Sequence, residues 1–209
     1  LPAGAFFDVL DGLAARALGG GTPLGAQLDS LADMVTFGVA PAFLVMVDPG
    51  TGLFASPAWS GALAALIIAG TSAWRLARFN VDTRQTSYFL GLATPANALF
   101  WASMMLASSA VGLHAGPFAR EMMLLLRELL HAPLARPSMA IVLGILMLSE
   151  LPLVGLKFKH LGVRGNEVVL TLLGAGLLLV ALYGTLAVPM LLLLYLLSPV
   201  WGRLFPKTT

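Results

Sequence analysis

Four aspartates stand out for their spacing. Asp8 and Asp11 are three residues apart, and Asp29 and Asp33 are four apart. On a helix each pair shares one face. All four lie in or beside apolar runs, where a single Asp at the centre of a bilayer costs about 2.5 to 3.5 kcal/mol. No equal set of cations is nearby to compensate them. Carboxylates converging in a dry site do not all stay ionised unaided, and a bound divalent cation is the simplest remedy. All-oxygen ligation points to Mg²⁺, Mn²⁺ or Ca²⁺ rather than zinc or copper. His114, His131 and His160 do not cluster in sequence with these acids and are given no metal role. The alternative is that the acids are helix caps and interfacial surface residues, Asp29 being a plausible cap. Capping does not account for two matched stripes. Gly12 and Ala15 extend the Asp8 stripe, and Gly25 sits four before Asp29, so a ligand or a neighbouring helix can come close.

A second group is basic. Arg75 and Arg78 lie three apart near the end of an apolar run, followed by Asn80. Their spacing suits either anion binding or anchoring by side chains that reach the interface. Thr36 and Asn97 are polar residues inside apolar runs. They could contact a substrate, although hydrogen bonding between helices is the commoner use.

The elements that must position these residues follow from composition. Of 209 residues, 58% are hydrophobic and only 11% charged, with no Cys. An average soluble domain is about 25% charged, so the chain lacks the polar skin of a soluble enzyme. Its long apolar runs predict an all-α bundle of membrane helices. Seven runs are candidate spans: 1–18, 24–47, 58–79, 88–113, 139–156, 168–183 and 186–201. The first begins partway along a helix, so upstream sequence is expected. Gly19-Gly20-Gly21-Thr22-Pro23 is a turn that folds the first two runs antiparallel and brings both acidic pairs to one membrane face. Residues 112–137 differ. Arg120, Glu121, Arg127 and Glu128 recur at seven-residue spacing, which predicts an amphipathic helix lying in the interface, with a solvated loop as the alternative. Nine Lys and Arg fall in the loops on the Arg16 side, and only Arg120, Arg127 and Arg136 on the other. The excess places the Arg16 side in the cytoplasm. No basic cluster with interleaved aromatics suggests nucleic acid.

The segment Asp8-Val9-Leu10-Asp11-Gly12-Leu13-Ala14-Ala15-Arg16, then Gly25, Asp29 and Asp33, resembles the signature of the CDP-alcohol phosphotransferase family, D-x2-D-G-x2-A-R-x8-G-x3-D-x3-D. All eight fixed positions are met. The resemblance implies a helical membrane enzyme, a homodimer, with a site for two divalent ions (Mg²⁺ or Mn²⁺) opening to the cytoplasm. Such enzymes transfer a phosphatidyl or similar group from a CDP-linked donor to an alcohol and release CMP. By the same resemblance Asp8, Asp11, Asp29 and Asp33 correspond to the metal ligands and Asp33 to the general base. Gly12, Ala15, Arg16 and Gly25, with Asp8 and Asp29, correspond to positions around the CDP moiety.

Further along, Thr36-Phe37-Gly38-Val39-Ala40-Pro41-Ala42, Arg75-Leu76-Ala77-Arg78-Phe79-Asn80, Phe89-x-Gly91-Leu92-x-Thr94-Pro95-Ala96 and Lys157-Phe158-Lys159 resemble the phosphatidylserine synthase branch. Ala93 stands where that branch usually has Pro. The branch implies CDP-diacylglycerol and L-serine as substrates, giving phosphatidylserine and CMP in the cell membrane. Arg75, Arg78 and Asn80 would then bind the lipid phosphate or the serine carboxylate, and Thr36 could line a serine pocket. Residues 1–209 read as one domain, with a motif-bearing core over 1–167 and two further spans over 168–209 that match by hydropathy alone. The rivals are the same chemistry on glycerol 3-phosphate or an inositol phosphate, an ion-coupled transporter, and an inactive relative.

Overall fold

The computed structural model describes residues 22–47, 57–81, 89–109, 117–153 and 167–197. The first expected span, with Asp8, Asp11, Gly12, Ala15 and Arg16, and the Lys157-Phe158-Lys159 segment lie outside them.

Helix α1 (Pro23–Asp33) starts where the sequence says it should. Thr22 is its N-cap in extended backbone, its Oγ1 accepts from the Gly25 amide at 3.0 Å, and Pro23 takes the first helical position. The helix does not stop at Asp33. It widens into a π-helical segment, Met34–Val39, and continues as α2, Ala40–Met46. Pro41 supplies the reason. It has no N–H, and its ring would collide with the carbonyl four residues back in a regular helix. The widened turn absorbs this, the Ala40 amide bonding five back to Val35. The whole run, Leu24–Met46, is apolar enough to cross a membrane.

Helix α3 (Ala58–Val81) returns antiparallel to it, as contacts at two levels show. Ser30 meets Asn80 at one end, and Gly38 faces Ser72 further along. Helix α6 (Ala135–Leu148) runs parallel to α3 on another side, with Gly144 against Thr71 and Leu148 against Arg78. Both contacts use glycine to bring helices close. A Cβ on Gly38 would sit 3.1 Å from the Ser72 Cβ, and one on Gly144 would sit 2.8 Å from the Thr71 Cγ2. Lipid removes most of the hydrophobic drive for helices to associate, so close packing must supply it.

Between α3 and helix α4 (Thr94–Ser109) lies a two-residue strand, β1 (Phe89–Leu90), paired antiparallel with β2 (Pro152–Leu153) just past α6. Gly91 follows with φ 70°. Its amide donates to the Leu151 carbonyl at 2.9 Å, and the Leu92 amide donates to Leu146 at 3.0 Å. A Cβ there would lie 2.6 to 2.9 Å from the carbonyl oxygens of Ser149, Met147 and Leu146. The position therefore requires glycine twice over, for its dihedral and for its space. This docking also explains why the helix begins at Thr94 and not near residue 88, as apolar content alone predicts. Residues 89–92 spend their backbone groups on the end of α6.

Helix α5 (Pro117–His131) meets α6 at an angle of 94°. Ala119, Met123, Leu126 and Leu130 are buried, while Arg120, Glu121 and Glu128 are exposed. The segment is thus a helix and not a loop, set across α6, with Met122, Leu124, Leu125 and Leu129 exposed beside the charges. Arg136, counted from sequence among the loop charges of the far side, does lie at the far end, but it is buried there. Its Nη1 donates at 3.0 Å to the Val45 carbonyl near the end of α2, a carbonyl that has no partner within its own helix.

Residues 169–196 form one apolar helical run by length and composition. Geometry divides it. Helix α7 (Glu167–Tyr183) ends at Gly184, whose φ is 56°, and a short 3₁₀ turn, Gly184–Leu186, leads into α8 (Ala187–Leu196). Gly176 packs on the Leu191 side chain, a Cβ there lying 3.3 Å from it. In a straight helix those residues would be about 22 Å apart. The segment is therefore an antiparallel hairpin, and the two C-terminal spans expected from sequence are two helices. Among the described residues Leu24–Met46 and Ala58–Val81 are continuous runs long and apolar enough to cross a membrane, the bent α5–α6 pair passes if counted as one, and Val169–Leu196 passes by length and composition but is folded into two arms. Helices α4 and α6 are shorter than the runs of about 26 and 18 residues expected for them. The count of about seven therefore becomes a set of helices of unequal reach, in which turns and the β1–β2 docking take residues that hydropathy assigns to spans. The core gathers Val45, Ile68, Leu92, Trp101 and Met147 between them.

Candidate functional site

The described part of the site lies at the end of the bundle where α1 begins and α3 finishes. Asp29 and Asp33 occupy successive turns of α1, four residues apart, Asp29 exposed and Asp33 half-buried. Neither caps the helix, because Thr22 does. The alternative reading of Asp29 as a cap is thereby removed. Gly25 lies one turn before Asp29, and a Cβ there would sit 3.3 Å from the Thr22 Oγ1.

Asn80 ties α3 to this surface. Its Nδ2 donates to the Ser30 Oγ at 2.9 Å, and the Ser30 hydroxyl donates to the Ala26 carbonyl at 3.1 Å. Ser30 directly follows Asp29, so this bond fixes the last turns of α3 beside the acidic face of α1. Sequence reasoning did not single out Ser30, and a lone serine in an apolar run gives no signal of its partner.

Arg75 and Arg78 face one small cleft with Phe79, Leu90, Met147, Leu148 and Ser149. Arg75 is only 8% exposed. Its Nη2 reaches the Leu90 carbonyl at 3.5 Å, a long contact, and its Nε has no hydrogen-bond partner among the described residues. A buried guanidinium this poorly satisfied is costly unless something anionic or polar completes it. Arg78 is half-buried. It donates to the Leu148 carbonyl at 3.3 Å and pairs with Glu150, so it holds the C-terminal end of α6, where a cation is favoured. Such partly exposed pairs are worth about 0 to 1 kcal/mol, little enough for an anionic ligand to exchange with Glu150.

Below Arg75 the interior holds polar groups that sequence reasoning named only in part. The Ser72 Oγ, Thr94 Oγ1, Asn97 Oδ1 and Trp101 Nε1 are buried without hydrogen-bond partners among the described residues. Ser72 is one turn from Arg75, and Thr94, Asn97 and Trp101 share one face of α4 by their 3- and 4-residue spacing. Thr36 is half-buried on the π segment, three residues past Asp33.

The two acids on α1 present oxygen donors only, one turn apart and outside the tightly packed core. That donor set fits a hard divalent cation. Among the described residues no group of three or more His, Cys, Asp or Glu converges. Asp29 and Asp33 therefore make up half of the expected ligand set. The structure brings together Asp29, Asp33 and Asn80 on one surface, and Arg75 with Arg78 in one cleft at the same end.

A family model described as CDP-alcohol phosphatidyltransferase matches residues 1–197. The chain is 39% identical over 92 residues to the CDP-diacylglycerol–serine O-phosphatidyltransferase of Bacillus subtilis, covering 44% of this chain and 50% of that protein. It is 32% identical over 145 residues to the enzyme of the same name from Methanocaldococcus jannaschii, covering 69% of this chain and 57% of that one. A third relative of that name, from Mycobacterium leprae, is 41% identical over 106 residues, 47% of this chain and 34% of its own length. The chain thus spans about half the length of the first two relatives and a third of the last.

Proposed function

The chain belongs to the CDP-alcohol phosphatidyltransferase family, and from that premise we propose that it transfers the phosphatidyl group of CDP-diacylglycerol to L-serine. The names of its relatives support the acceptor. The observation that carries the reading is the Asn80–Ser30 bond. It sets a pair of carboxylates beside the helix end that bears two arginines, which is what a diphosphate substrate and a hydroxyl nucleophile require of one site.

In this reading the serine hydroxyl oxygen attacks the phosphorus that bears diacylglycerol. The bond from that phosphorus to the bridging oxygen breaks, and CMP leaves with the oxygen. Asp33 accepts the hydroxyl proton, directly or through water. A carboxylate is a weak base, so close positioning has to compensate. Its half-buried place on a helix held by Thr22 and Asn80 provides that positioning. Asp29 and Asp33 would hold Mg²⁺ or Mn²⁺ together with Asp8 and Asp11, which lie outside the described residues. When bound, such ions supply positive charge at the diphosphate. Gly25, with Gly12 and Ala15, keeps the approach to the nucleotide open, and Arg16 lies beside the CDP moiety. Arg75 takes an anionic group, the lipid phosphate or the serine carboxylate, and Arg78 joins it on leaving Glu150. The site faces the cytoplasm of a cell membrane, and the protein acts as a homodimer.

The test is CMP release from CDP-diacylglycerol by the purified protein with Mg²⁺ or Mn²⁺. L-serine, glycerol 3-phosphate, inositol 1-phosphate and no acceptor are compared, with EDTA as the metal-free arm. Release that needs both metal and serine is expected. Release with another acceptor would keep the family chemistry and overturn the serine assignment. Asp33→Asn should lower turnover by about 10²- to 10⁴-fold, the range for a lost general base, while CDP-diacylglycerol still binds. Normal turnover in that variant would remove Asp33 from the base role.

A further inference from the structure

Between α4 and the α7–α8 hairpin lies a cleft of about 390 Å³. Its walls are Ala93, Ala96 and Leu99 on α4 and its approach, Val169, Leu172 and Leu173 on α7, and Val188, Leu191, Leu192 and Tyr195 on α8. Tyr195 is the one polar side chain among them. Val169, Leu172 and Leu192 are buried and form the floor, whereas Leu99 and Leu173, 44% and 49% exposed, mark an open outer edge. The volume is in the range of sites that take small organic ligands.

The direction of the cleft matters more than its size. Gly176 opposite Leu191 fixes the register of the hairpin, so Tyr195 lies at the same end as the start of α7. That end is also the start of α4, where Leu90 accepts from Arg75. Leu90 precedes Ala93, the first wall residue of the cleft, by three residues, so Arg75 is held near that end. From Tyr195 to Val188 the cleft descends seven residues of α8, about 10 Å at the rise of a helix. One leaflet of bilayer hydrocarbon is about 15 Å thick. A phenol in the wall at the end nearest a buried cation, then hydrocarbon walls for most of a leaflet, match a molecule with an anionic head and an apolar tail. The recess runs about 10 Å along α8, far short of the roughly 30 Å that a membrane helix of a second copy would need to seat along its length.

We propose that this cleft receives one acyl chain of the diacylglycerol donor, with Tyr195 in its wall at the end nearest Arg75, which takes the lipid phosphate. The proposal rests on the phosphatidyl-transfer reading and goes beyond it by giving the C-terminal hairpin the task of measuring the donor's tail. Ala96 and Leu191 then set the width of the cleft, and neither touches the reacting atoms.

The experiment is photolabelling of the purified protein in phosphatidylcholine nanodiscs with CDP-diacylglycerol carrying a diazirine at one acyl terminus. Label is expected in peptides covering 93–99 and 169–195, displaced by unlabelled CDP-diacylglycerol and not by added phosphatidylcholine. Label elsewhere, or displacement by both lipids alike, would overturn the cleft as a donor site and leave it a seat for bulk lipid. In parallel, Ala96→Phe should raise the KM for a dioleoyl donor at least fivefold and leave that for a dihexanoyl donor within twofold. Leu191→Ala should relax the chain-length preference without loss of folding, which keeps the test alive if Ala96→Phe misfolds. Equal effects on both donors would count against the proposal. Specific labelling by a protein that releases no CMP with serine would sink the transfer reading while the cleft stood.

Discussion

Two apolar regions of this protein are built in opposite ways, and the C-terminal one is the more apolar of the two. The layer formed by α1, the π segment, α2, α3 and α6 is gripped at close range. Gly38 admits Ser72, Gly144 admits Thr71, and Asn80 and Arg78 bind neighbouring helices at the site end. The α7–α8 hairpin carries no charged residue between Glu167 and Arg203. It turns on a left-handed glycine and leaves a cleft beside α4. The first region fixes the positions of carboxylates and arginines, and small residues with side-chain hydrogen bonds do that by leaving few alternative packings. The second region meets lipid with leucines, whose contacts tolerate shifts. Precision is concentrated where chemistry is proposed, and tolerance where hydrocarbon is handled.

Paired glycine substitutions would break or sharpen this comparison. The largest contrast is between the two glycines with positive φ. Gly91→Ala must strain the backbone, at about 1 to 3 kcal/mol, and also thrust a Cβ among three carbonyl oxygens. It should unfold the β1–β2 docking and lower the melting temperature in detergent by well over 10 °C. Gly184→Ala has the same dihedral problem with nothing within 4 Å. Its cost should stay near the lower end of that range. Equal losses in both would mean that the Gly91 docking contributes nothing beyond its dihedral.

A smaller contrast lies inside helices. Gly144→Ala pushes a Cβ to 2.8 Å from the Thr71 Cγ2, and overpacking of this kind costs about 1 to 3 kcal/mol. Because α3 carries Arg75 and Arg78, CMP release should fall along with stability. Gly174→Ala meets open space. It should be neutral, or more stable by up to about 1 kcal/mol from helix propensity alone. Thermal melts and CMP release on the same samples check both. If Gly174→Ala proved as harmful as Gly144→Ala, the hairpin would be packed as tightly as the site layer.

The acidic spacing, the Thr22-Pro23 start, the amphipathic 117–131 helix and the two C-terminal helices were all legible in the chain, because each is a local pattern of period, cap or composition. Other features were not. The π segment needed Pro41 to be seen inside a continuing helix, where a sequence rule expects a break or kink. Arg136 reads as a loop charge until α2 is found to end beside it. Arg78 reads as an anion ligand, and its present partners, Glu150 and the Leu148 carbonyl, are 72 and 70 residues away.

The sequence by itself determined a helical membrane chain with two carboxylates on one face of α1, since helical period and transfer cost act within a few residues. The tertiary structure alone decided that Asn80 locks onto Ser30, that Gly91 must be bare against the end of α6, and that an apolar cleft opens between α4 and the α7–α8 hairpin. Those outcomes depend on which helices lie side by side, and close packing between distant segments leaves no periodic trace in either one.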